Sequence, residues 1–117
     1  MKIKTSELTG AALDWTVTKL ELDRLIAAGE HVKPWVRDAI LAGESISTYS
    51  SDWLFGGPII EREKITVRPS RLYVNGWVAH ASNGTVVYIG GTPLIAAMRC
   101  YVASRLGDEV DVLKTLL

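Results

Sequence analysis

The sequence predicts an α+β fold: a small antiparallel β-meander packed against two main helices, with short helical turns between them. Three observations carry that expectation. Apolar residues recur at helical spacing after Thr9, two Asn-Gly pairs sit between β-prone residues, and Thr92-Pro93 opens a long apolar run that stops at Gly107.

The first helix starts at Thr9. Leu8 before it and Leu13 after it have the spacing of a hydrophobic staple around a threonine N-cap. Leu13, Val17 and Leu20 keep one face, and the pattern extends through Leu22, Leu25 and Ile26 to Gly29, where a left-handed cap is expected. "KPWVRDAILAG" fits a second, shorter helix from Pro34 to Gly43, although its length also suits an extended segment, so helicity throughout 20–47 is left open. From "ESISTYSSDW" to Pro58 the chain turns polar and then glycine-rich, which predicts a loop. Gly57 as N-cap and Pro58 as first residue then start one or two helical turns in "PIIEREK", leading to a short strand, "ITV", stopped by Pro69.

Asn75-Gly76 and Asn83-Gly84 suit type I′ turns, whose central residues need positive φ. Counting outward places Val74 opposite Trp77, Leu72 opposite Ala79, Ala79 opposite Tyr88 and Ala81 opposite Val86, an apolar face for helices to cover. The last helix has Thr92 as N-cap and Pro93 in its first turn; its few polar members are Arg99, Ser104 and Arg105, so it should be central. Alternating Val110 and Val112 make the tail from about 108 extended or mobile.

At 117 residues the chain has the size of one domain, expected to span 1–117. Thirteen basic residues balance thirteen acidic ones, so no global field gathers a polyanion or an anionic membrane. Nucleic acid and membrane are therefore not among the expected partners. Arg62, Lys64, Arg68 and Arg71 are near enough in sequence to form a basic stripe, but charged sheet edges are commoner. The single Cys100 excludes an intrachain disulfide and a multi-cysteine metal site, and with no signal-like apolar run the expected compartment is the cytoplasm.

Arg99 lies on the wheel between apolar residues and alanines, where an unpaired guanidinium is costly. A carboxylate from Asp52, Glu61 or Glu63 is the expected partner, with snorkelling to water as the alternative. Those same three acids are the only candidates for an acid/base pair or a hard-cation site, without a diagnostic ligand spacing. His31 and His80 are too isolated for a metal centre, and Cys100 lacks a neighbouring base, so neither cofactor nor metal nor catalytic residue is expected. Gly56-Gly57 and Gly90-Gly91 read as helix entries rather than phosphate loops. Tyr49, Trp53 and Phe55 form a candidate interaction surface.

Two blocks, "MKIKTSELTGAALDW" with "SSDW...GGPIIERE" and "GTPLIAAMRCYVASRLGDEVDV", resemble the NinX-like family of small proteins of lambdoid phages and prophages. The stretches from about Leu20 to Ser47 and Val67 to Gly90 fit that pattern poorly. The resemblance implies a phage or prophage accessory protein in the cytoplasm of a bacterial host and carries over no activity. It draws attention to Asp52, Trp53, Gly56, Gly57, Pro58, Glu61, Arg62, Glu63, Thr92, Pro93 and Arg99. The leading expectation is a non-enzymatic module that binds a host or phage protein, with a homodimer as one form. The alternatives are a small enzyme or ligand-binding or metal-binding protein using Asp52, Glu61 and Glu63, and a nucleic-acid accessory factor.

Overall fold

The computed structural model describes residues 1–117 and has the expected α+β architecture. In chain order it consists of β1 (Lys2–Lys4), a 3-10 turn at Thr5–Glu7, α1 (Gly10–Ala27), α2 (Pro34–Leu41), α3 (Trp53–Glu63), β2 (Thr66–Pro69), β3 (Trp77–His80), β4 (Val87–Gly90), α4 (Pro93–Leu106), β5 (Glu109–Asp111) and a 3-10 turn at Lys114–Leu116. Strands β2, β3 and β4 form an antiparallel meander, and β1 pairs with β5 in a separate two-stranded ribbon.

Helix α4 is central, as its apolar run predicts. Ala96, Ala97, Met98, Cys100 and Val102 are wholly buried among Leu8, Leu13, Val17, Ile59 and Ala79. Its start is set locally: the Thr92 hydroxyl oxygen accepts from the Ile95 N–H at 3.1 Å and Pro93 fixes the first turn. The small residues then let the sheet come close. A Cβ on Gly90 would lie 2.6 Å from the Ala96 nitrogen, so strand and helix meet backbone to backbone there.

Helix α1 begins with Leu8 and Leu13 both buried around Thr9, whose own side chain makes no capping bond. Gly29 ends it at φ 84, with the Glu30 N–H donating to the Leu25 carbonyl and the Gly29 N–H to that of Ile26, both at 3.0 Å. Gly43 repeats the device after α2, where Glu44 donates to Ala39 at 2.9 Å and Gly43 to Ile40 at 3.0 Å. The 20–47 stretch is thus two helices with a break between them. Helix α1 also buries Asp14, Thr16, Thr18 and Glu21, because chain segments pack on more than one side of it. Asp14 Oδ1 accepts from the Ser50 N–H at 2.8 Å, Thr18 Oγ1 accepts from the Ser47 N–H at 3.2 Å, and Trp15 Nε1 donates to the Ile40 carbonyl at 2.7 Å. These bonds lash α2 and the segment after it to α1.

Three expectations are corrected. The segment from Trp53 to Pro58 is not a loop. Helix α3 starts at Trp53, capped by Asp52 Oδ1 accepting from the Leu54 N–H at 2.9 Å, and Pro58 lies inside it. The helix survives because Gly57 has no Cβ to clash with the proline ring. The carbonyl left unpaired by Pro58 belongs to Leu54, which is 75% exposed and open to water. Gly56 has a different function: a Cβ there would stand 2.5 Å from the Tyr49 carbonyl oxygen and 2.6 Å from Leu94 Cδ2.

The first hairpin also differs. Strand β2 overlaps the "ITV" segment but starts at Thr66 and includes Pro69, with Val67 opposite Ala79 and Pro69 opposite Trp77, so Leu72 and Val74 do not enter the sheet and are 88% and 93% exposed. Ser70 diverts the chain: its hydroxyl oxygen accepts from the N–H groups of Leu72 and Tyr73 at 3.2 and 3.1 Å. Asn75 has positive φ but Gly76 does not, so the turn is not type I′. The second hairpin keeps its expected register, with Ala79 opposite Tyr88. Its turn is wider, however, with the Gly84 N–H bonded to the Ala81 carbonyl at 2.8 Å and only Gly84 left-handed.

The tail is extended as far as β5. Ile3 faces Val110, the Val112 N–H donates to the Met1 carbonyl at 2.9 Å, and Val110 and Val112 are buried.

Gly56→Ala is expected to lower stability by about 1–3 kcal/mol, as an overpacked site does. Pro58→Ala, which restores a donor for the Leu54 carbonyl, should raise it by about 1 kcal/mol. Denaturant titration of both variants measures the difference in sign.

Candidate functional site

The acids of α3 do not meet Arg99. The Arg99 guanidinium, half-buried on α4, donates from Nε to the Leu8 carbonyl at 2.7 Å and from NH1 to the Ile89 carbonyl at 3.0 Å. It makes no ion pair, and desolvation alone holds its pKa below the usual arginine value. Two backbone oxygens replace the expected carboxylate. The first lies just before α1 and the second on the free edge of β4, so each has a lone pair to offer.

The buried carboxylate that does hold a guanidinium is Glu21 of α1, 8% exposed. Arg62 from α3 clamps it with both arms, NH1 to Oε1 at 2.9 Å and NH2 to Oε2 at 3.0 Å. The Tyr101 hydroxyl of α4 donates to Oε2 at 2.8 Å. Arg24 stands 3.4 Å from Oε1, one turn along α1. Arg62 Nε also donates to Glu63 Oε2 at 2.8 Å, and Arg105 donates to Glu63 Oε1 at 2.6 Å. The Tyr101 ring has the Arg62 and Arg105 guanidinium carbons each 5.6 Å from its centroid. Three helices are joined by one alternating chain of charge.

Burial pushes the Glu21 carboxyl upward, but hydrogen bonds from Arg62 and Tyr101 and the charges of Arg62 and Arg24 outweigh it and leave the pKa below the ordinary value. Glu63 is likewise lowered, with burial opposed by Arg62 and Arg105. Tyr101 is pushed up by burial and by its bond to the Glu21 carboxylate. No buried side-chain nitrogen or oxygen lacks a partner. An ionised acid, a neutral phenol and an Arg62 guanidinium whose three nitrogens all donate make this cluster a clamp rather than a proton-transfer site.

The remaining predicted residues are placed as follows. Asp52 caps α3, while Glu61 and Glu63 lie at its far end, about 14 Å or more along the axis at ~1.5 Å per residue. The three acids therefore do not converge, and no group of three His, Cys, Asp or Glu residues is placed to hold a metal ion. Gly56 and Gly57 shape α3 and leave no phosphate cradle. Cys100 is wholly buried, its thiol pushed up to about 11 by desolvation. Trp53, Leu54 and Phe55 form the first turn of α3 and are 56%, 75% and 39% exposed. The Tyr49 ring braces Phe55 edge-on at 6.0 Å between centroids. Of the expected interaction surface, Tyr49 and Phe55 are thus in contact, while Trp53 and Leu54 leave the same helical turn in other directions.

Arg62 and Glu63 were legible as candidates; Glu21, Tyr101, Arg105 and Arg24 were not. The available signal for Glu21 is its place one turn beyond Val17 and two beyond Leu13, on the face that packs inward.

A family model described as "Bacteriophage P22, NinX" matches residues 4–105. The two stretches expected to fit poorly, about 20–47 and 67–90, fall within that range. Among curated proteins, none matches the chain.

Glu21→Gln should destabilise by about 2 kcal/mol at neutral pH. A buried pair broken on one side usually costs more, but the Arg62 side chain is 31% exposed and relaxes into water. Because Glu21 and Glu63 have folded pKa values below the ordinary 4.5, their contribution is complete above that pH and is lost as pH falls through it toward the folded values. Chemical denaturation across this range should show a shallower acid decline for Glu21→Gln than for the parent chain.

Proposed function

This chain belongs to the bacteriophage P22 NinX family, and from that membership we propose a non-enzymatic accessory protein of the phage that binds a host or phage protein in the bacterial cytoplasm. The observation that supports this reading is the first turn of α3. Trp53, Leu54 and Phe55 are all exposed in the first turn of a helix that Asp52 caps, and the Tyr49 ring packs edge-on against Phe55. Large apolar groups carried on a capped helix start need little backbone ordering when a partner covers them, which suits a binding hot spot. No helix is long and apolar enough to cross a membrane, so a lipid span does not account for these side chains.

A protein partner fits this patch better than a small substrate. The acids proposed for catalysis are divided between the cap of α3 and its far end, where Glu63 is committed to Arg62 and Arg105. A second copy of the chain is one partner that such a patch accommodates.

Affinity capture from lysate of infected cells tests the reading with Trp53→Asp and Leu54→Asp as controls, since both sites are exposed and the fold should hold to within about 0.5 kcal/mol. The expected result is a stoichiometric protein retained by the parent chain and lost with either variant, or a dimer in light scattering that both variants convert to monomer. Capture that ignores both substitutions counts against this surface.

A further inference from the structure

The charge balance of the whole chain conceals a division. From Lys64 to Gly107 there are five cationic residues, Lys64, Arg68, Arg71, Arg99 and Arg105, and no aspartate or glutamate. Arg105 is held by Glu63 and Arg99 by backbone carbonyls, whereas Lys64, Arg68 and Arg71 take part in no ion pair. Two of them lie on the β2–β3 hairpin, where Arg68, Pro69, Ser70 and Arg71 alone line a concavity of about 540 Å³.

The sheet orients this hairpin outward. Val67, Ala79 and Tyr88 are in register and face α4, so Arg68 with its neighbours Val78 and Ile89, and His80 with Val87, belong to the opposite face. That face is open along β4, where Val87 and Ile89 are 48% and 42% exposed, while Val78 on the central strand is buried. Arg68 Nε donates to His80 Nε2 at 3.3 Å, which turns the guanidinium along the strand and leaves both terminal nitrogens free. Beyond Arg71, the Ser70 hydroxyl fixes the backbone of Leu72 and Tyr73 and displays the Tyr73 ring at 56% exposure with no aromatic partner.

We infer that the β2–β3 hairpin binds single-stranded nucleic acid, with Arg68 and Arg71 on successive phosphates and Tyr73 stacking on a base. Planar guanidinium groups without a carboxylate partner match phosphate oxygens. A concavity walled by two arginines, a serine and a proline lacks the apolar centre that a protein interface requires. A free aromatic beside the cations favours a single strand, whose bases have open faces, over a duplex. The hairpin is a different part of the chain from the Trp53 patch, so this inference does not rest on the protein-binding reading.

Fluorescence anisotropy of the full chain with labelled oligothymidylate tests it. Binding is expected at low salt, with log affinity falling against log salt at a slope of about −1.4 for two single-strand phosphates. Arg68→Ala with Arg71→Ala should flatten that slope and weaken binding at least about tenfold. Tyr73→Ala should weaken it about tenfold with the slope unchanged. Lys33→Ala with Arg37→Ala, on and beside α2, should leave both unchanged. All these positions are exposed, and circular dichroism melts verify that each variant folds. Absence of binding at low salt, indifference to the hairpin arginines, or equal affinity for polyglutamate would overturn the inference. Equal binding of a duplex with no effect of Tyr73→Ala would overturn its single-strand part.

Discussion

The Glu21 carboxylate is the constraint on which the helical half of the molecule depends. It is nearly removed from water, and an ion so placed is tolerable only if its lone pairs are filled with good geometry. Arg62 fills two with a planar fork, Tyr101 fills a third, and Arg24 stands at the rim. Each donor comes from a defined place on α1, α3 or α4, so satisfying the carboxylate fixes the spacing and rotation of all three helices at once. Apolar packing alone is permissive about rotation; α4, almost uniformly apolar before its last turn, has no preferred face to present. The Tyr101 hydroxyl supplies one.

Arg99 meets the same electrostatic problem without an acid. Carbonyl oxygens between helices and at sheet edges carry partial negative charge and free lone pairs, and two of them converge on its guanidinium. One belongs to Ile89 on the free edge of β4, so the contact also occupies part of an unpaired strand edge, where neutral backbone groups otherwise invite another strand. A charged donor there serves packing and solubility together. The wheel position correctly marks Arg99 as half-buried; nothing in a one-dimensional sequence distinguishes a carboxylate from a carbonyl as the group waiting for it.

What was legible follows from how local each determinant is. The caps at Thr92, Gly29 and Gly43, the staple of Leu8 with Leu13 and the Ala79–Tyr88 register depend on neighbours in sequence, and each is found in the structure. Helix α3 was misread because Gly-Gly-Pro is a strong local stop signal overridden by tertiary contact: Gly56 is needed where the helix touches Tyr49 and Leu94, and Gly57 removes the clash that the proline would create. The first hairpin was misread because one serine hydroxyl captured two N–H groups and pre-empted the Asn-Gly turn. Of the site, Arg62 and Glu63 were named and their partners were missed, since Glu21 lies forty-one positions from Arg62 and Tyr101 eighty positions from Glu21.

A net charge of zero says little about a chain whose acids and bases are sorted by element. The acidic residues lie before Lys64 and after Gly107, and the clamp accounts for two of them by drawing Arg62, Arg24 and Arg105 toward Glu21 and Glu63. Internal neutralisation therefore takes place where the helices meet. The sheet receives no acid from its own sequence, and at Arg68 the nearest polar partner is an imidazole nitrogen. Screening length decides whether such sorting matters: at physiological salt it is about 8 Å, short compared with the 45 Å long axis of the molecule. A ligand approaching the sheet thus responds to the cations beside it, and the compensating acids elsewhere are largely screened from its view.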